Sequence, residues 1–566
     1  MTHGHGDRPQ RFDAVIIGGG VTGAGIARDA AQRGLSVVLV EKRDLGSGTS
    51  SKSSKLVHGG LRYLEHGELR LVFEGTNERS LQMRRAPHLV RPIPFLVPIY
   101  KGKKPALAYV DIGLWIYDAL AMFRSPKLHK TYRGKKVAVL EPALRTEGLA
   151  GALEYYDCMT DDARLVLENA LDARAMGADV RTYTRALAVS RDARGRVSGV
   201  RVVDELSGQV SELATRCVVV AAGPWTDQVL RAAGVPLEKP LIKPTKGVHV
   251  VVDHARLPVN RAVTMLTRDR RVIFCIPWVE RTVIGTTDTF YDGDPDDVAA
   301  DLSDVMYLCD AANAFFPDAH LVPADVISTW AGLRPLINPE HGAGQGASRA
   351  SDMSREHEVF VRDEGFITIA GGKLTTYRRM AKEVTDRVVE WLGDRGDAAL
   401  EGRDIKPCRT KVRSLPGAQG LEHPRGVEAV AERLMKNASI DARVAEHLSQ
   451  TYGSRAESVA LRGLADASLL ARLNADLPYL WCEVDHAVEV DLARTIEDVL
   501  MRRVPLGLRG RDQGLDVAEP VAPRMARRLG WSGEESARQV AAYRHTVEAT
   551  RRFRPSAPPP AITPAA

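Results

Sequence analysis

No stretch of the chain stays apolar long enough to cross a bilayer: no uninterrupted run reaches about 18 residues, so a transmembrane helix is not expected. The opening residues, MTHGHGDRPQ, lack the apolar core of a secretion signal, and the first apolar run, from Phe12, belongs to a strand. Secretion is therefore not expected either. The six cysteines (Cys158, Cys217, Cys275, Cys309, Cys408 and Cys482) are scattered, with no CxxC pair and no clustered histidines. That pattern argues against a zinc site, gives no reason to expect any metal, and fits a reducing cytoplasm. No Lys/Arg block is long enough to grip a nucleic acid, although Lys and Arg outnumber Asp and Glu by 78 to 72. The resulting net charge of +6 suits an anionic small molecule or an anionic membrane surface. No internal repeat is visible.

At 566 residues and 44% apolar composition, the chain has material for two or three compact units. Residues 12 to 41 read as strand, glycine turn, helix and strand: DAVIIGGG is a buried run, GAGIARDAAQRG a small-residue helix ending at Gly34, and LSVVLVE a second buried run. A loop of small and hydroxyl residues follows, and then an amphipathic helix with Leu69, Val72, Phe73 and Thr76 on one face. DDARLVLENALDARAMG is a helix with a capping residue at Asp161 and a stop at Gly177. Short strands lead to RCVVVAAGPW, a strand entering a second glycine turn, and residues 236 to 354 carry further strands around one helix. FITIAGG then opens a third glycine turn into the helix KLTTYRRMAKEVTDRVVEWLG. Residues 396–423 read as a linker, 424–553 as helices, and the Pro/Ala-rich 554–566 as a disordered tail.

Gly18, Gly20 and Gly23 form G-x-G-x-x-G on the first strand-to-helix turn. Gly18 permits the tight turn, Gly20 lets backbone approach a pyrophosphate, and Gly23 lets helix pack on strand, while the helix N-terminus offers N–H groups and partial positive charge. Glu41 closes the second strand where an acidic ribose binder belongs, which favours FAD or NAD over a phosphorylated ribose. The glycines alone do not choose between the two.

The following loop does. TSSKSSKLVHGGLRYLEHGELRLV, and after it EYYDCMTDDARLVLENA, VAAGPWTD, IPWVERTVIGTTDT, AGLRPL and GGKLTTYRRMAKEVTD, closely resemble the FAD-dependent respiratory glycerol-3-phosphate dehydrogenases of the amino-acid-oxidase-like flavoproteins. The resemblance covers about the first 400 residues, and EVDHAVEVDLARTIEDVLMRR resembles the family's C-terminal domain. It implies an α/β fold: a discontinuous Rossmann-like FAD-binding domain of the glutathione-reductase type (12–80, 150–235 and 355–395), a mixed-sheet substrate domain (81–149 and 236–354) and a helical C-terminal domain.

The resemblance also implies the site. Thr49, Ser50, Ser53, Ser54, Lys55 and Leu56 would hold FAD through hydroxyl, amide and ammonium groups, with Ala186, Gly223, Gly372, Leu374 and Thr375 completing its cradle. Lys373, beside the third glycine turn, would stabilise negative charge on the reduced flavin. His58 would sit by the flavin ring and take the C2 hydroxyl proton, titrating in the ordinary imidazole range, while hydride leaves for flavin N5. Arg334 is the competing catalytic residue, and Arg62, Tyr63, Arg334 and Lys373 would bind the phosphate of sn-glycerol 3-phosphate. Thr286, Thr287 and Asp288 either close the substrate side or cap a strand.

Residues 105 to 123 read as a helix with Asp111 and Asp118 on one face, and Lys101, Lys103 and Lys104 just before it favour anionic lipid. Together with the family resemblance this implies a peripheral enzyme on the inner face of the cell membrane, passing electrons to quinone. Four alternatives are weighed: an oxidase passing electrons to oxygen, an amine or amino-acid oxidase, a flavin-binding redox sensor without turnover, and an RNA-associated flavoprotein, which the absence of basic blocks argues against. A homodimer is also left open.

Overall fold

The computed structural model describes residues 11–554 apart from 65–66, 103–104, 342–349, 351–352, 395–399, 401, 424 and 439. Lys103, Lys104 and the tail from residue 555 lie outside the described residues.

Two sheets organise the chain. The first has the order His357–Arg362, Phe366–Gly371, Val210–Val220, Arg11–Ile17, Val37–Val40, Asp179–Arg181, and every pair after the first is parallel. Its central strands are uninterrupted apolar runs because both faces are covered, as parallel sheets require. On one face, the helices Val21–Gln32, Asp162–Ala175 and Tyr377–Asp394 pack together. Small residues make the close approach possible: a β-carbon at Gly25 would stand 3.0 Å from the Tyr377 ring. Asp161 caps its helix as the sequence indicates, accepting the Arg164 N–H at 2.9 Å.

The second sheet has ten strands and is antiparallel except where Ala262–Leu266 meets Arg91–Tyr100. It takes in Leu149–Met159, which the sequence reading placed from residue 150 in the nucleotide-binding unit. The reason is pairing length: this strand runs antiparallel to Arg91–Tyr100 along its whole course, and its end also holds the short strand Leu56–Val57. The serine-rich loop before Leu56 is thereby tied directly to the second sheet.

The helix Leu69–Arg85 departs from the expected apolar face. Val72 and Thr76 are fully buried, but Leu69 is 50% and Phe73 46% exposed. The helix buries Glu78, Arg79 and Gln82 instead, because each meets a fixed partner: Arg378, Asp157 and the Thr375 carbonyl respectively. The expected linker is also packed down where it is described. Arg403 pairs with Asp13 at 2.8 Å, and Leu415 is buried, its N–H donating to the Arg85 carbonyl.

Helices from Gly426–Ala438 to Gly533–Thr550 form the C-terminal part. It is locked to the first sheet's unit by buried charges: Arg502 and Arg503 both pair with Asp44, and Arg164 pairs with Asp491. All six cysteines are free thiols. Among the described residues, no helix is long and apolar enough to cross a membrane and no His/Cys/Asp/Glu group could hold a metal ion.

Candidate active site

Three strand-to-helix turns, at Gly18, Gly223 and Gly371, open onto one cavity of about 2460 Å³ between the two sheets. Gly18 has φ +113°, and a β-carbon there would lie 2.5 Å from the Ala221 carbonyl oxygen. A β-carbon at Gly23 would stand 1.8 Å from the Gly18 carbonyl, so this glycine sits behind the cavity and lets the helix seat on the strand. Gly20 needs no unusual backbone, with φ −74°, but its open side faces the cavity and Ser50.

Of the residues expected to hold the cofactor, all but Gly23 and Lys55 line this cavity. Glu41 accepts the Gly19 N–H at 2.6 Å and the Arg43 N–H at 2.9 Å; burial raises its pKa against the pull of those two amides. Ser50 Oγ accepts the Val21 N–H at 2.9 Å, capping the first helix. Thr49 Oγ1 donates to the Leu333 carbonyl at 2.6 Å, which ties the loop to the strand bearing Arg334. Ser53, Ser54, Leu56, Ala186, Gly223, Gly372, Leu374 and Thr375 line the same cavity.

Lys55 does not. Its backbone turns left-handed (φ +56°), and its ammonium pairs with fully buried Asp162 at 2.7 Å, above the rings of Trp278 and Trp330. An uncompensated Asp162 would be costly in that interior, so the lysine is drawn away from the cavity.

On the substrate side, cations converge. Arg334 Nη1 meets Asp288 Oδ1 at 3.0 Å, and its Nη2 donates to Thr286 Oγ1 and the Thr287 carbonyl, both at 3.2 Å. Arg355 Nη2 takes the other oxygen of Asp288 at 3.1 Å and lies within hydrogen-bonding reach of Tyr63. Lys373 Nζ stands 3.7 Å above the Tyr63 ring, a cation–π contact, and Arg62 adds its charge beside Arg334. Arg334 and Arg355 thus share the Asp288 carboxylate, with Lys373 and Arg62 adding positive charge beside them. Burial lowers the pKa of Arg334, while Tyr63 and Asp288 keep Arg355 firmly charged against its own burial.

His58 lines the cavity next to this group. Thr375 Oγ1 lies 3.2 Å from both its N–H and its carbonyl, which joins the third glycine turn to the His58 segment. Burial pushes the His58 pKa below its usual 6.5, with Lys373, Arg355 and Arg79 adding to the shift against the pull of Asp157. Burial thus favours the uncharged imidazole at neutral pH and moves its titration down from the ordinary value.

Two site residues escaped the sequence reading. Arg355 lies just before a strand in an unremarkable polar run, and no spacing rule links it to Arg334. His249 sits mid-strand in VHVVV, where a core histidine is the ordinary reading. It bonds Ser54 Oγ at 2.8 Å and stacks on Trp330 at 5.0 Å, and burial beside Arg334 and Lys55 keeps it neutral.

The donor set fits a dinucleotide: a glycine turn presenting a helix N-terminus, a carboxylate at the end of the next strand, and a second turn starting at Leu374 in the same cavity. Residues 13–419 match the family described as FAD dependent oxidoreductase, and residues 408–536 match the C-terminal domain of alpha-glycerophosphate oxidase. The chain is 38% identical over 543 residues to glycerol-3-phosphate dehydrogenase 2 of Mycobacterium bovis, covering 95% of this chain and 88% of that one. It is 36% identical over 546 residues to the aerobic glycerol-3-phosphate dehydrogenase of Staphylococcus aureus, covering 96% and 94%. The solved structure of the glycerol-3-phosphate dehydrogenase from Bacillus halodurans, complexed with FAD, superposes with a TM-score of 0.78 at 32% identity over 97% of both chains.

Proposed function

The chain belongs to the FAD-dependent glycerol-3-phosphate dehydrogenases, and from that premise we propose that it oxidises sn-glycerol 3-phosphate to dihydroxyacetone phosphate and delivers the electrons to a membrane quinone. Bound FAD supplies the hydride acceptor, N5 of its isoalloxazine. The Gly18–Gly20 turn would hold its pyrophosphate, Glu41 its ribose, and the turn from Gly371 to Thr375 its ring.

The observation that carries the reading is the gathering of Arg62, Arg334, Arg355 and Lys373 in one end of the cavity, two of them sharing the Asp288 carboxylate, next to an imidazole that burial holds toward its uncharged form. A surplus of positive charge in a part-buried site is costly alone and is compensated by a dianionic phosphate. An amine substrate would be repelled there. With the phosphate held, neutral His58 accepts the C2 hydroxyl proton, and the surrounding cations favour the alkoxide that forms.

Membrane attachment is supported by the helix Leu107–Leu120. Its Tyr109 and Ile112 are each 61% exposed, Trp115 is 53% exposed, and Phe73 and Phe123 lie uncovered on neighbouring segments. Asp111 and Asp118 both pair with His129, on whose ring Trp115 also packs. The apolar face fits insertion into the interfacial layer on the inner side of the cell membrane.

Glycerol 3-phosphate turnover with a soluble quinone analogue under anaerobic conditions, compared with oxygen alone, tests the acceptor. Faster turnover with the quinone is expected; equal or faster turnover with oxygen alone would make the protein an oxidase.

A further inference from the structure

A second cavity, of about 940 Å³, lies across a thin wall from the first, where helices of the C-terminal part close over the wall. The wall is the serine loop and the strand Val326–Ile337, and Lys52 lines both cavities. The loop and strand are tightly joined: the Trp330 indole N–H donates to the Ser53 carbonyl at 3.1 Å, and a β-carbon at Gly332 would stand 2.8 Å from the Lys52 carbonyl oxygen.

The charges facing this chamber do not balance. Its carboxylates are all engaged, four of the six by cations and two, Asp161 and Glu446, by neutral donors while they attract Arg91 without pairing. Asp161 caps a helix, Glu280 takes Arg443 and Arg509, Asp296 takes Lys42, Asp297 takes Arg552, Glu446 takes Gln450 and Glu497 takes Arg502. Two of its cations are not. Among the described residues, the side chains of Arg91 and Lys52 make no hydrogen bond and no ion pair, and burial lowers the pKa of both. Five buried polar atoms in the lining also lack partners: Arg91 Nε, Arg509 Nε, Thr160 Oγ1 and both ring nitrogens of His88. The two arginine atoms are N–H donors, the hydroxyl is able to donate, and a neutral imidazole donates through one of its nitrogens. Buried donors and charges without partners cost stability, and an acceptor-rich anion removes that cost.

We infer that this chamber is a second, anion-binding site, which takes a small metabolite bearing a phosphate or carboxylate group through Arg91, Lys52, Arg509 and Thr160. It is separate from the substrate phosphate site and independent of how that site is read. Its ligand touches the back of the loop that holds the flavin, so binding there is sensed in the first cavity.

The test is calorimetric titration of the FAD-loaded protein with inorganic phosphate and, separately, with succinate, at chloride-matched ionic strength. The parent is expected to bind phosphate at two sites. Arg91→Gln should weaken one of them about tenfold or more, the usual effect of losing a charged hydrogen-bond donor, while keeping its FAD and its turnover. Arg334→Gln should weaken only the other. Thr160→Val, nearly isosteric, is the second arm if Arg91→Gln folds poorly, and should weaken the same site severalfold. An Arg91-dependent site for phosphate indicates a phosphorylated ligand, and one for succinate a carboxylate; either supports the inference. A single site abolished by Arg334→Gln, or two sites indifferent to both Arg91→Gln and Thr160→Val, overturns it.

Discussion

Burial keeps the His58 imidazole neutral, and a base works only in its neutral form, so flavin reduction should climb with pH below 6.5 and be flat above it. His58→Asn should retain FAD and lower the reduction rate roughly a hundredfold or more, the ordinary loss for a positioned base. Rapid-mixing absorbance at the oxidised flavin band reads this step alone. A variant that reduces its flavin at the parent rate with the parent pH profile makes His58 a loop-shaping residue and shifts the proton to Arg334 or water. Arg355→Ala should cost kcat/KM about 2–3 kcal/mol, because it strips a charged donor from the phosphate cluster and leaves Asp288 half-neutralised. Comparison with plain glycerol discriminates: the variant should lose activity on glycerol 3-phosphate and change little on glycerol. These two positions mark the limits of reading a site from sequence. His58, Arg62, Tyr63, Arg334 and Lys373 were expected from the family resemblance of the runs in which they stand, and all five line the one cavity. Arg355 and His249 were not, because a salt bridge to a distant carboxylate and a stack on a distant indole leave no local pattern. Lys55 was misread for the same reason: its partner, Asp162, lies on a helix far along the chain.

Elements built from local pattern were the most legible. The first βαβ unit, the Asp161-capped helix and the third glycine turn all follow from apolar period and punctuation. Where a strand would pair, and what a helix would bury, depended on partners elsewhere: Leu149–Met159 joined the second sheet, and Leu69–Arg85 buried Glu78 and Arg79 while leaving Phe73 outside. The loop after the second strand is held by one such long-range contact, Asp44 between Arg502 and Arg503. Asp44→Asn leaves two buried guanidiniums undercompensated and should destabilise the fold by about 3–5 kcal/mol. Because Asp44 lies between Glu41 and the serine loop, flavin should also be lost more readily. Thermal unfolding and the flavin content after gel filtration check both; a variant with parent Tm and full yellow colour would show the lock to be dispensable. The helix Leu107–Leu120 makes the opposite kind of prediction. Trp115→Asp with Phe123→Asp should leave Tm and soluble-acceptor turnover nearly unchanged, since both side chains are more than half exposed and neither lines the first cavity, yet lower co-sedimentation with anionic vesicles about tenfold or more. Unaltered sedimentation would remove this helix as the attachment face.

The whole molecule carries an acid limit of its own. His88 is fully buried, neither ring nitrogen has a partner, and its pKa is pushed down to about 4. The unfolded chain takes up a proton near 6.5 that the folded chain refuses until about 4, so this contribution to stability is complete above pH 6.5 and lost as pH falls toward 4. At about 1.4 kcal/mol per unit the loss approaches about 3 kcal/mol. His88→Gln should flatten the fall in Tm over that window, and an unchanged slope would place the acid sensitivity elsewhere. Last, the first sheet orders its strands without regard to the order of their synthesis. Arg11–Ile17 needs Val210–Val220 at its side, and that strand needs Phe366–Gly371. During translation, therefore, the first glycine turn emerges from the ribosome long before the two turns that complete its cradle. The cofactor has no finished seat until roughly two-thirds of the chain has been made, and a ribosome stalled short of Gly371 holds a polypeptide that is colourless however much flavin the cell contains.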